Sequence, residues 1–225
     1  MSSGVFGQSK YIDSLERIIS LKNHDEPERK AYSQLGVEYL KTDHNKTKFY
    51  LRPLIKMATD ANDMMQLSIA YNSLLTVYQN EGHLDSTAYF VDKLKSLAAT
   101  NVSNKAILVN CNQALGLYYK KRGEYKTALP YNLTAIKYAE ATPEIDKAVL
   151  GGQWLNAGTL YNLMGDFKNA MSCNLKALTK FEEAGNKRGE SFCYTNMSGI
   201  YISLGQLSRA LQTAEKSLGL KRELN

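Results

Sequence analysis

Apolar residues recur at three- and four-residue intervals through almost the whole chain, broken by short turns rich in Gly, Asp, Asn and Lys. The first such run is YIDSLERIISL, residues 11 to 21, with apolar side chains at 12, 15, 18, 19 and 21. That spacing puts them on one face of a helix. The same pattern predicts helices near 27–41, 46–60, 63–81, 84–99, 103–122, 124–141, 144–164, 166–184, 187–204 and 206–222. Pro27 suits the first turn of its helix, where the missing N–H costs nothing. Pro53 and Pro130 fall inside two later helices and are expected to bend them locally. The reading is an all-α chain.

The helices come in copies. Tyr78, Tyr119, Tyr161 and Tyr201 each stand four residues before a glycine, Gly82, Gly123, Gly165 and Gly205. The tyrosines are 41, 42 and 40 residues apart. Two residues past each glycine comes a large apolar group: Leu84, Tyr125, Phe167 or Leu207. Nine residues after the last three tyrosines stand Ala128, Ala170 and Ala210; Thr87, with Ala88 beside it, holds the first place. The physical roles follow. Glycine ends one helix in a left-handed cap and lets the chain reverse. Alanine marks the close approach of two antiparallel helices, and the aromatic residues are expected to fill the space between one hairpin and the next. A hairpin of this kind buries its apolar face only by stacking on neighbours.

These units resemble tetratricopeptide repeats. The resemblance rests on WLNAGTLY, 154 to 161, with Gly165, Ala170 and Ala177; on ALGLYY, 114 to 119, with Ala128 and Ala135; and on YTNMSGIY, 194 to 201, with Ala210. Ser198 stands where the pattern has a close-packing glycine. The earliest copy is QLGVEY, 34 to 39, whose turn, KTDHNKTKFY, lacks the glycine. The period of about 40 exceeds the usual 34 of the family, and is similar to that of light-chain kinesin-type adaptors and bacterial repeat regulators. The resemblance implies a right-handed α-α superhelix, a solenoid of about five hairpins with units near 27–62, 63–101, 102–142, 143–185 and 186–225, after an N-terminal helix. Residues 1–10, MSSGVFGQSK, lack the apolar core of a signal peptide and are expected to be a flexible leader, leaving 11–225 as one solenoid domain.

Composition narrows the function. No apolar run approaches the roughly 18 residues a membrane span needs. Net charge is +6, but the 28 Lys and Arg are scattered and form no dense block. Nucleic acid is therefore not the expected partner, and YYKKRGEYK, 118 to 126, reads as a solvated helix end before it reads as a stacking platform. The cysteines, Cys111, Cys173 and Cys193, cannot all pair and form no C-x-x-C motif. Cys111 and Cys193 each precede a repeat tyrosine by eight residues, as buried small residues in two copies of one helix would. A reducing, cytoplasmic setting is the default.

No catalytic constellation emerges. His24, His44 and His83 fall at predicted turns or helix boundaries, away from any G-x-S-x-G or H-E-x-x-H pattern. GVFG and Gly151-Gly152 are not followed by GK[ST]. Cys and His have no metal-ligand spacing. The expectation is a chain with no enzymatic activity, no cofactor and no metal.

Binding is the better prospect. The resemblance implies that the first helix of each hairpin lines a concave face. It places an asparagine two residues before the close-packing position, where related peptide-binding proteins grip an extended main chain. Asn156 and Asn196 stand there, each with donors and an acceptor in one side chain; the alternative is that they brace neighbouring helices. Helical spacing adds Asn72, Thr76, Gln79 and Asn80 in one first helix, and Asn110, Gln113, Leu117, Lys120 and Lys121 in the next, ahead of Arg122. Thr159, Asn162, Leu163, Thr195 and Ile202 continue the surface. The Lys, Asn and Arg set that clamps a terminal carboxylate in chaperone-binding relatives cannot be placed.

The expected function is a non-catalytic interaction module for a peptide or partner protein, the sensory or regulatory part of a larger signalling or transcription-regulatory protein of bacterial type. In that case the chain runs on into a membrane helix and output domain, and the module is extracytoplasmic if its sensor is membrane-anchored. A stand-alone adaptor or oligomeric scaffold is the alternative, and behind it a helical-repeat nucleic-acid-binding protein, favoured only by the basic charge. The last repeat, ending in LGLKRELN, has no polar closing helix. Solenoids need covered ends, so further chain, a partner or self-association through this end is expected.

Overall fold

The computed structural model describes residues 3–224, with side chains from residue 10 onward. Among the described residues there are eleven α-helices, one 3-10 turn and no strand. The chain divides into two compact units on either side of the Ser103–Asn104 bond. The first holds α1 (Ser3–Ser20), α2 (Glu26–Glu38), α3 (His44–Asp60), α4 (Met64–Glu81) and α5 (Leu84–Thr100). The second holds α6 (Lys105–Lys121), α7 (Tyr125–Glu140), α8 (Lys147–Leu163), α9 (Phe167–Glu183), α10 (Lys187–Ser203) and α11 (Leu207–Glu223).

In the first unit α2 pairs with α3 and α4 with α5, and α1 packs on α2. Residues 3 to 10, within the leader the sequence suggests, form the opening turns of α1; residues 1 and 2 of that leader lie outside the described residues. Once YIDSLERII has nucleated a helix, adding turns at its start costs far less than starting one. Leu15 is the buried anchor of α1, against Ala31, Leu35 and Tyr50. In the second unit α6/α7, α8/α9 and α10/α11 are antiparallel hairpins, with α8 stacked on α7 and α10 on α9.

The turns show why the pattern folds this way. Gly82, Gly123, Gly165 and Gly205 take φ of 77°, 78°, 78° and 70°. The carbonyl of each repeat tyrosine then accepts from the residue after the glycine: His83 N to Tyr78 O at 3.0 Å, Glu124 N to Tyr119 O at 3.0 Å, Asp166 N to Tyr161 O at 2.9 Å and Gln206 N to Tyr201 O at 2.9 Å. The first hairpin, lacking a glycine, closes with a 3-10 turn over Tyr39–Lys41, and Asp43 N reaches Tyr39 O at 2.8 Å. At the end of α3, Asn62 takes the left-handed conformation at φ 52°. Side-chain caps stand at the starts of α2, α3, α4, α6, α8, α9 and α10, while α5, α7 and α11 start without one. The latest start relative to the sequence pattern is that of α8, at Lys147, because Asp146 Oδ1 accepts from Ala148 N at 2.6 Å.

Candidate functional site

The hairpins owe their internal contacts to three positions. At the first, Gly116 and Gly158 in α6 and α8 lie against Asn132 and Asn174 of α7 and α9. A Cβ at Gly158 would stand 2.6 Å from Asn174 Nδ2, and Asn174 Nδ2 donates to Ala170 O at 2.8 Å. In the last hairpin Ala214 holds the asparagine's place in the register, and Ser198, in place of the glycine, donates through Oγ to Ala210 O at 2.9 Å. At the second, Ala128, Ala170 and Ala210 are buried. At the third, the repeat tyrosine stacks on the second helix of its own hairpin and is not confined to the gap before the next. Tyr39 lies on Tyr50 (5.9 Å, 8°), Tyr78 on Phe90 (5.7 Å, 11°) and Tyr119 on Tyr131 (5.5 Å, 9°). The equivalent residues in the last two hairpins are Cys173 and Thr213.

This packing leaves one face of each first helix half-open, and the sequence-predicted residues fall on it. In the second unit, Asn110, Gln113, Lys120, Asn156, Thr159, Asn162 and Asn196 are half-buried, and Lys121 and Thr195 are exposed. Several are drawn together by bonds between successive first helices. Gln153 Nε2 donates to Gln113 Oε1 at 2.6 Å, and Lys120 Nζ donates to Asn156 Oδ1 at 3.0 Å, both linking α6 to α8. Asn196 Nδ2 donates to Thr159 Oγ1 at 3.2 Å, linking α8 to α10. Thr195 Oγ1 bonds Ser191 O at 2.9 Å and lies 2.8 Å from Ser217 Oγ, while Lys221 Nζ donates to it at 3.3 Å. In the first unit Asn72, Thr76 and Gln79 are half-buried on α4, and Thr76 Oγ1 donates to Asn72 O at 3.0 Å.

The two asparagines therefore brace neighbouring helices with one half of each amide: Asn156 accepts and Asn196 donates. The Nδ2 of Asn156 and the Oδ1 of Asn196 take no part in those bonds. Each amide keeps a donor and an acceptor for a ligand: Asn156 has its Nδ2 and a second lone pair on Oδ1, and Asn196 has its Oδ1 and a second hydrogen on Nδ2. Apolar groups interrupt the amides, with Leu163, Phe192 and Ile202 all exposed and Leu117 half-buried. An open cleft of about 560 Å³ is lined by Arg188, Ser191, Phe192, Lys221 and Leu224. A second, of about 440 Å³, is lined by Gly123–Thr127, Leu163 and Met164.

Sequence reasoning missed Gln153, which is 1% exposed and whose Oε1 has no protein partner. Its place was signalled: it stands eight residues before Tyr161, the register position that Cys111 and Cys193 hold in the neighbouring copies. Also missed were Phe192, Ser217 and Lys221 at the last hairpin.

The thiols are quiet. Cys111, Cys173 and Cys193 are free and buried, and burial pushes Cys111 and Cys193 up to about 12 and Cys173 above its ordinary value. Burial pulls the Lys120 ammonium below the usual lysine value. His44 and His83 both lie 3.5 Å from Glu81, which Lys48 holds below the usual carboxylate range with hydrogen bonds of 2.9 and 3.2 Å. Among the described residues no three His, Cys, Asp or Glu are placed to hold a metal. No described helix is long and apolar enough to cross a membrane.

Comparison with known proteins agrees with the geometry. Residues 193–224 match the tetratricopeptide repeat family. No curated protein sequence matches the chain. Among solved structures, BtubC (BKLC) from P. vanneervenii superposes with a TM-score of 0.74 at 18% identity, over 98% of this chain and 91% of that one. A putative kinesin light chain of nearly identical repeats from Podosopora anserina gives 0.63 at 10%, over 87% and 96%. A signal transduction ATPase with a tetratricopeptide repeat sensor, from Pyrococcus horikoshii, gives 0.65 at 18%, over 94% of this chain but 33% of its own length. At these identities the likeness shows the fold, an all-α tetratricopeptide-type helical repeat.

Proposed function

We propose that this chain of tetratricopeptide-type hairpins is a non-catalytic protein-interaction module. The half-open faces of its first helices hold an extended peptide or a helix of a partner protein. One observation supports the reading above others. In the second unit the first helices are tied edge to edge by Gln113–Gln153, Lys120–Asn156 and Thr159–Asn196. They thereby present a pre-ordered row of amides, hydroxyls and apolar groups. A surface ordered before the ligand arrives loses little entropy on binding. The repeats of the Pyrococcus horikoshii ATPase are described as a sensor; by analogy we assign this chain the input role in a larger signalling or regulatory protein.

The test is recovery of partners from the native host by wild-type protein beside an Asn156→Ala, Asn196→Ala double variant that retains its helical spectrum. The variant is expected to lose partners that the wild type retains. Equal recovery of the same partners contradicts the assignment.

A second reading, self-association, is favoured by α11. Leu207, Leu211 and Leu218 are 68%, 63% and 47% exposed along one stripe. Their equivalents Phe167, Met171 and Leu178 on α9 are half-buried or buried where α10 packs. The occupant this reading names is a second copy of the chain. Sedimentation should then show a dimer that Leu211→Glu dissociates; a monomer at all concentrations removes this reading.

A further inference from the structure

The last hairpin lacks a ring that the first three have. Tyr39, Tyr78 and Tyr119 are each covered by a nearly parallel ring from the following helix, at 5.9, 5.7 and 5.5 Å. In the fourth hairpin Cys173 stands in that ring's place, and Trp154 and Tyr161 pack against the cluster that holds it. In the fifth the place falls to Thr213, and a cleft of about 180 Å³ opens there. Tyr194, Met197 and Tyr201 of α10 form one wall; Arg209, Thr213 and Lys216 of α11 form the other.

The two walls match. Tyr194 and Tyr201 stand seven residues apart, as do Arg209 and Lys216, so each pair faces one way across two helical turns. Arg209 Cζ lies 5.9 Å from the centre of the Tyr201 ring, and Lys216 Nζ 5.6 Å from that of Tyr194. Arg209 Nη1 donates to the neutral Gln206 Oε1 at 2.9 Å, and neither cation forms an ion pair among the described residues. A cation at this place leaves room for a ring. In the first hairpin Lys46, at the register of Arg209, lies 4.4 Å from the Tyr39 ring centre while Tyr50 stacks on the same tyrosine.

We propose that this cleft binds a small aromatic anion, one planar ring carrying a carboxylate or a phosphate. The ring takes the place that Tyr50, Phe90 and Tyr131 fill in the first three hairpins, against Tyr201. Offset stacking of rings is favourable beyond the area it buries, and charge-assisted hydrogen bonds from a guanidinium are the strong ones. The anionic end belongs toward Arg209. At the other end burial, then the Glu182 and Glu190 carboxylates, push Tyr194 above its ordinary value, so negative charge is opposed there. The cleft is separate from the inner face, because Tyr194, Met197 and Tyr201 share a side of α10 that does not carry Thr195, Asn196 and Ile202.

The test is titration of the ¹⁵N-labelled chain with 4-hydroxyphenylacetate and with uridine monophosphate, each beside its uncharged counterpart, tyrosol or uridine. At least one anion is expected to give saturable shifts at Gln212 and Thr213, and which one does so tells carboxylate from phosphate. Its uncharged counterpart should bind about tenfold more weakly. Arg209→Gln with Lys216→Gln should bring the two to the same affinity. Thr213→Tyr, which restores the ring of the first three hairpins, should abolish binding while the helical spectrum is kept and the unfolding midpoint does not fall. Acetate or inorganic phosphate alone should leave these shifts still. No saturation by either anion, equal binding of charged and uncharged forms by the wild type, or binding that survives Thr213→Tyr overturns the proposal.

Discussion

At the scale of single residues, the repeat works by trading volumes across one contact. Where the first helix has Gly158 the second has Asn174; where it has Ser198 the second has Ala214. Gly158→Ser alone drives a Cβ into Asn174 and is expected to lower stability by about 1–3 kcal/mol. Gly158→Ser with Asn174→Ala copies the last hairpin and should recover much of that loss. Urea denaturation of the single and double variants measures the coupling; strictly additive losses would show that the two residues do not compete for the same space. The buried thiols make a pH prediction. Cys111 and Cys193 ionise in the folded chain only near 12, against roughly 8.5 when unfolded. Folding then holds protons that the unfolded chain releases, so their contribution is intact below about 8.5 and stability falls as pH rises from there toward 12. Replacing both by Ala should flatten that part of the stability profile. In the native protein at pH 8, a thiol-reactive chromophore should label none of the three cysteines until urea is added.

At the scale of elements, the stacked pair of aromatics differs from hairpin to hairpin. Tyr39, Tyr78 and Tyr119 each have an aromatic partner in the following helix, whereas Tyr161 and Tyr201 face Cys173 and Thr213. Tyr131→Cys, which copies the fourth hairpin into the third, is expected to cost about 1–2 kcal/mol, read as a lower midpoint in thermal unfolding. Much of this level was legible beforehand. The Tyr, Gly and Ala spacing located the helices and their turns, because helix caps and close helix contacts tolerate few residue types. What escaped was set by partners far along the chain. The period could not say that the Asn156 oxygen would accept from Lys120, 36 residues earlier, or that Asn196 would donate one amide hydrogen to Thr159. Nor did the polar lead-in 1–10 reveal that helix α1 begins at Ser3, since propagation from a strong segment overrides weak local preference.

At the scale of the whole molecule, each unit has its own buried clusters: Leu15, Ala31, Leu35 and Tyr50 in the first; Val109, Ile136, Leu150, Ala157 and Cys173, with Ala177, Leu178, Phe181 and Cys193, in the second. Repeat arrays draw their stability from neighbouring units, so a chain of residues 104–225 alone is expected to fold. Circular dichroism should give it a helical spectrum and a cooperative melt. A featureless melt would mean that the second unit depends on the first. The account's central claim is that the half-open faces of the first helices are where a partner docks. The most direct test is backbone and side-chain amide shift mapping of the labelled chain as a dodecapeptide, selected on the chain from a random phage-displayed library, is added. The account predicts the largest changes at Gln113, Asn156, Thr159, Asn162 and Asn196, with the exposed faces of α7 and α9, such as Lys137 and Thr179, unmoved. Changes concentrated on α7 and α9, with those amides still, would contradict it.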